Sequence, residues 1–121
     1  MADHSLSPTP KNYPALIEKA TPALYALIYQ DDDLSGYDLD VINTVCVIMI
    51  VGRQCLYTRR KKPFKDPSAV FSRWARDLWT IDPRERQGEI SYIKGKVDLI
   101  QYLVHGTRLL RIDMKGEKYG R

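Results

Sequence analysis

Apolar residues recur along this chain at spacings of three and four, the period of a helix with one covered face. The first such run extends from Pro14 to about Gln30 through Leu16, Ala20, Ala23 or Leu24, and Leu27. Thr21-Pro22 interrupts it. Proline suits a first helical position with threonine as cap, so the segment reads either as one kinked helix or as a short helix followed by a second from Pro22. The run 39–59 is apolar on nearly every face in its middle, Val41–Val51, which describes a central, buried helix. Its β-branched content makes a buried strand the competing reading, and continuation through Gln54–Tyr57 favours the helix. Asp38 is the expected N-cap, Arg59–Lys62 the cationic last turn and Pro63 the stop.

Asp66-Pro67 then opens a helix over Ser68–Thr80, with Val70, Phe71, Trp74, Ala75 and Leu78 on one side. Asp82-Pro83 repeats that start signal. Ile90, Ile93, Val97, Ile100 and Val104 form a seam with heptad spacing, and a core-facing helix is favoured over an intermolecular coiled coil. Gly88 and Gly95 weaken this helix by about 1 kcal/mol each relative to alanine. His105-Gly106 is the expected C-cap. Leu110, Ile112 and Met114 alternate with Arg111, Asp113 and Lys115, so 108–115 reads as a short extended arm or a further helical turn. The expected architecture is all-α: a compact bundle of about five helices in a single domain over 13–106. Flexible tails at 1–12 and 107–121, the latter with the arm, complete it.

Composition narrows this picture. Of 121 residues, 44% are apolar and 28% charged, which argues against disorder along the whole chain. Cys46 and Cys55 lie about 13 Å apart if both sit on one helix, too far for a disulfide. Two free thiols point to a reducing, intracellular home, cytoplasmic or nuclear. No secretory or lipidation pattern is visible. The longest unbroken apolar run, Val45–Val51, is well short of the ~20 residues of a membrane span, so no transmembrane segment is expected.

The net charge of +4 is unevenly spread. From Arg53 to Lys65 there are six bases and no acid: Arg53, Arg59, Arg60, Lys61, Lys62 and Lys65, with Tyr57 and Phe64 interleaved. Bases neutralise phosphates and aromatic rings stack on unpaired bases, so this stretch is the leading candidate for a nucleic-acid site, RNA ahead of DNA. A solvated helix end complementing its dipole is the plainer reading, and an import signal or an anionic-lipid contact are further ones. Arg73, Arg76, Arg84 and Arg86 are candidates to extend the surface. Residues 31–40 hold five acids and no base. Asp31, Asp32 and Asp33 are candidate partner contacts, as are Trp79 and the arm residues Leu110, Ile112 and Met114. Trp74 fits the core stripe of its helix, and the plainer reading places both tryptophans in the core. A calcium loop from Asp31 fails at its second half, where Ile42 stands in place of the bidentate glutamate.

His4 and His105 have no cysteine or carboxylate partner in sequence, and no Walker loop, dinucleotide fingerprint or zinc-protease motif is present. No cofactor, metal or catalysis is expected. The sequence points to a small non-catalytic basic protein that binds nucleic acid as part of a larger assembly, such as a nucleoprotein or capsid-like particle. The alternative is a protein-interaction subunit, an adaptor, matrix or scaffold component, without a nucleic-acid role. Either reading implies a homo-oligomer or a subunit of a complex.

Overall fold

The computed structural model describes residues 6–30, 34, 36–80, 85 and 98–114. Four helices and no strand occur among them: α1 (Tyr13–Gln30), α2 (Leu39–Tyr57), α3 (Pro67–Leu78) and α4 (Asp98–Leu109). The protein is all-helical, with four helices described against about five expected. The start expected at Asp82-Pro83 lies outside the described residues, as do residues 1–5 and 115–121.

Helix α2 is the axis on which α1, α3 and α4 all pack. Every residue from Asp40 to Met49 is buried, so the apolar-all-round sequence is a helix enclosed by others and not a strand. Its length of 19 residues and mean hydropathy of 1.6 match a membrane span by composition, but here its faces are mostly covered by the rest of the fold.

Helix α1 runs unbroken through Pro22, which settles the two readings of that segment. Thr21 is not a cap: its hydroxyl donates back to the Ile17 carbonyl at 2.6 Å. Leu16 and Ala20 before the proline, and Ala23, Leu24 and Leu27 after it, are all buried. That continuous face offsets the ~3 kcal/mol a mid-helix proline costs.

Helix α3 is capped as expected, Asp66 accepting from the Ala69 amide at 3.2 Å. Its buried face is Phe71, Ala75 and Leu78. Trp74 is 37% exposed, contrary to the core place expected for it.

Helix α4 departs furthest from expectation. It does not stop at His105-Gly106 but continues to Leu109. Gly106 is buried inside the helix, facing Gly52 of α2. A Cβ on Gly52 would collide with the Tyr102 carbonyl and come within 2.8 Å of the Gly106 amide. A Cβ on Gly106 would collide with the Ile48 carbonyl. These two glycines let the backbones of α2 and α4 touch, so the inward stripe of α4 is Leu99, Leu103 and Gly106, continued by Leu110 just past its end. Of the expected seam, Ile100 and Val104 face solvent at 42% and 46% exposure, while Ile90, Ile93 and Val97 lie outside the described residues.

The core also reaches beyond both expected domain limits. Leu110 and Ile112 are buried and Met114 packs on the core, so these three are not a free docking arm. Their alternation with Arg111 and Asp113 is real, but it describes a chain end lying on its own domain. At the other end, residues 6–12 are not a loose tail. The Leu6 amide donates to Asp40 Oδ2 at 3.1 Å, and its carbonyl accepts from Trp79 Nε1 at 3.1 Å.

Candidate nucleic-acid interface

The basic stretch begins where α2 ends, and that end is built in an unusual way. The Arg60 amide donates to the Cys55 carbonyl at 2.9 Å and the Arg59 amide to the Leu56 carbonyl at 3.2 Å. This is the paired 6→1 and 5→2 bonding of a Schellman cap, whose C′ residue is left-handed and usually glycine. Here it is Arg59, with φ of 60°. Helix α4 ends in the same way: the Ile112 amide donates to the Thr107 carbonyl at 2.8 Å, the Arg111 amide to the Arg108 carbonyl at 3.1 Å. The left-handed residue is again an arginine, Arg111, with φ of 59°. Each costs about 1 kcal/mol relative to glycine. Both helices therefore end by turning an arginine outward.

Phe64 ties the two ends together. Its amide donates to the Leu109 carbonyl at 2.9 Å, and its carbonyl accepts from Arg111 Nε at 2.9 Å. The Arg60 guanidinium lies 4.2 Å from the centre of its ring. The aromatic face expected to stack on a nucleobase is thus taken up in holding an arginine. Arg60 Nε donates to the Lys62 carbonyl at 2.9 Å, which fixes the guanidinium further.

His105 links this loop to α4. Its Nε2 lies 3.0 Å from the Arg60 carbonyl, and its Nδ1 2.9 Å from an Arg108 guanidinium nitrogen. The neutral imidazole with its proton on Nε2 satisfies both, donating to the carbonyl and accepting from the arginine. Arg108 is therefore oriented by an imidazole and not by a carboxylate.

Together these groups line an open pocket of about 520 Å³, formed by Cys55, Leu56, Arg59, Arg60, Lys61, His105 and Arg108. Among the described residues no carboxylate lines it. The ion pairs among the described residues are elsewhere, between Lys19 and Asp38 or Asp40. Burial pushes the Cys55 thiol up, against a smaller opposing effect of Arg60, so the cysteine presents a neutral thiol. No group of three histidine, cysteine or acidic side chains gathers as a metal site among the described residues.

Of the residues expected at this site, Arg59, Arg60 and Lys61 line the pocket. Lys62 and Lys65 are exposed on the loop, and Arg53 is half-buried on α2. Tyr57 is 78% exposed at the end of α2, leaving a ring free for stacking. Arg73 and Arg76 are exposed on α3 and do not line the pocket. Arg84 and Arg86 lie outside the described residues, as do Asp31, Asp32 and Asp33. Trp79 is half-buried: it meets Phe71 edge-on at 6.3 Å between ring centroids and holds the Leu6 carbonyl, so it serves the core more than a partner.

Arg108, Arg111 and the bridging role of His105 were missed in the sequence. Their only sequence signal was a pair of bases at the end of the last helix, hidden because that end was placed three residues too early, at Gly106. Compared with protein-family models, curated proteins and solved structures, the chain finds no match.

Proposed function

We propose that this protein is a non-catalytic nucleic-acid-binding subunit of a larger assembly, with RNA preferred to DNA. The observation that carries this reading is the gathering of Arg59, Arg60, Lys61 and Arg108 around one open pocket that no described carboxylate lines. Cations that make no ion pair among the described residues are available to phosphates, and release of counterions supplies the affinity. Two left-handed arginines, each strained where glycine would be relaxed, give the same end of the bundle charge at a cost in stability. A concave site with an exposed Tyr57 nearby in sequence suits single strands, whose bases can leave the stack, better than a duplex.

The test is fluorescence anisotropy with labelled single-stranded RNA and double-stranded DNA at two salt concentrations. Micromolar binding of the single strand is expected, falling steeply with salt, with a shallower salt slope for Arg59→Gln/Lys61→Gln/Lys62→Gln. Absence of binding at low salt, or affinity unmoved by that triple variant, defeats the reading.

The second reading, a protein-interaction subunit, is favoured by one observation: Ile100 and Val104 leave an apolar stripe of α4 exposed. It predicts oligomers by light scattering that persist in high salt.

A further inference from the structure

We propose that the pocket between the ends of α2 and α4 takes a phosphate monoester: the terminal phosphate of a strand, or the phosphate of a free mononucleotide. For the first source this rests on the nucleic-acid reading above; for the second it stands alone.

Shape is the first argument. A phosphate in mid-strand is esterified on both sides, and the chain must bend sharply to lower it into a concavity. A monoester has one ester bond and three free oxygens, so it can enter end-on. A volume of about 520 Å³ admits a nucleotide-sized group.

Charge is the second. Three guanidinium groups and one ammonium line the pocket, with no carboxylate among the described residues that line it. A diester carries one negative charge, whereas a monoester carries roughly 1.5 to 2 near neutral pH. An acid-free cluster of cations therefore favours the monoester over the diester. Guanidinium forks also match the monoester's several free oxygens.

Preorganisation is the third. Arg60 is held against Phe64 and the Lys62 carbonyl, and Arg108 against His105 Nδ1. Neither anchor is an anion, so orientation is fixed without neutralising either charge. A site whose cations are already placed loses less side-chain entropy on binding. Leu56 and the neutral Cys55 thiol give the lining an apolar part that suits a ribose or a base edge.

The experiment compares three labelled RNA strands of one sequence, with a 5′-phosphate, a 3′-phosphate, or hydroxyls at both ends. Adenosine monophosphate and adenosine serve as competitors, and the monophosphate is also titrated directly while the His105 ring signals are followed by NMR. One phosphorylated end is expected to bind about tenfold more tightly than the hydroxyl strand. The monophosphate is expected to compete and adenosine is not. Arg108→Gln retains a donor for His105 Nδ1, and exposed Lys61→Gln leaves the core untouched; each should bring the ratio of phosphorylated to hydroxyl affinity towards one.

Equal binding of all three strands, with no effect of the monophosphate, overturns this inference and leaves the nucleic-acid reading standing. Binding of the monophosphate without binding of any strand supports the inference and defeats that reading. A ratio that survives both substitutions puts the phosphate elsewhere and overturns the assignment to this pocket. No binding of strand or monophosphate overturns both.

Discussion

Helix α2 has two charged ends that are handled in opposite ways. At its N-terminal end Asp40 is buried with its carboxylate fully engaged: Lys19 Nζ donates to its two oxygens at 3.1 and 2.8 Å, and the Leu6 amide to one of them at 3.1 Å. Asp38, the expected N-cap, makes no side-chain cap bond and instead lies 3.2 Å from the same lysine. At the C-terminal end Arg59, Arg60, Lys61 and Arg108 crowd one pocket that no carboxylate lines among the described residues. The helix dipole accounts for favourable charge at both ends. It does not account for a cluster of cations, nor for arginine at a left-handed position. The balanced end joins the N-terminal segment, α1, α2 and α3, whereas the other end gathers cations that no described carboxylate lining the pocket offsets.

The largest expected effect is at the balanced end. Asp40→Ala strips Lys19 and the Leu6 amide of their acceptor and should cost about 3 kcal/mol in chemical denaturation. Nucleic-acid affinity of the folded fraction should not change. An unchanged midpoint would mean that the N-terminal segment is not anchored as described.

A smaller effect, of opposite sign, is expected at the other end. Arg59→Gly relieves the left-handed strain and should raise stability by about 1 kcal/mol. The same change removes a pocket cation, so affinity should fall and the salt slope should flatten by about one charge. Stability and binding moving in opposite directions is the signature of an arginine kept for function. A glycine variant that binds as well as the parent would erase the distinction between the two ends.

A third effect, no larger than the second, is read by pH. Burial pushes Tyr13 up to about 12, while its hydroxyl donates to the Leu110 carbonyl at 3.1 Å. Lys19 is raised above its ordinary value, chiefly by its hydrogen bond to Asp40. Both groups hold their proton more firmly in the fold than in the unfolded chain. Their stabilisation is therefore complete below about pH 10 and is lost as pH rises through the raised values. Thermal melts should be level from neutral pH to about 10 and then decline. Tyr13→Phe should cost about 1 kcal/mol at neutral pH, from the lost hydrogen bond, and make the alkaline decline shallower. A decline of the same steepness in that variant would assign it to other groups.

Local chemistry was legible wherever one residue type has one strong structural use. Asp66-Pro67 announced the start of α3, and the all-round apolar run announced a central helix. Helix ends were less legible, because glycine is the usual sign of a Schellman cap and here the position is held by Arg59 and Arg111. Gly106 misled for the same reason. It is a contact surface for α2, and nothing within its own segment distinguishes that use from a cap.

The facing of α4 and the pairing of the tryptophans show where sequence stops. Ile100-Val104 and Leu99-Leu103 are adjacent apolar stripes of similar strength, and either could face inward. The close approach of Gly52 and Gly106 chose the second, because only backbone contact between α2 and α4 brings them near enough. Trp74 and Trp79 were likewise separated by which of them could reach Phe71 and the Leu6 carbonyl. The sequence by itself determined that the chain is helical, that residues 39 onward form its axis and that its cations cluster after Tyr57. Only the tertiary structure decided that Arg108 and His105 join them, since residues 45 or more apart in the chain meet through packing and not through any local pattern.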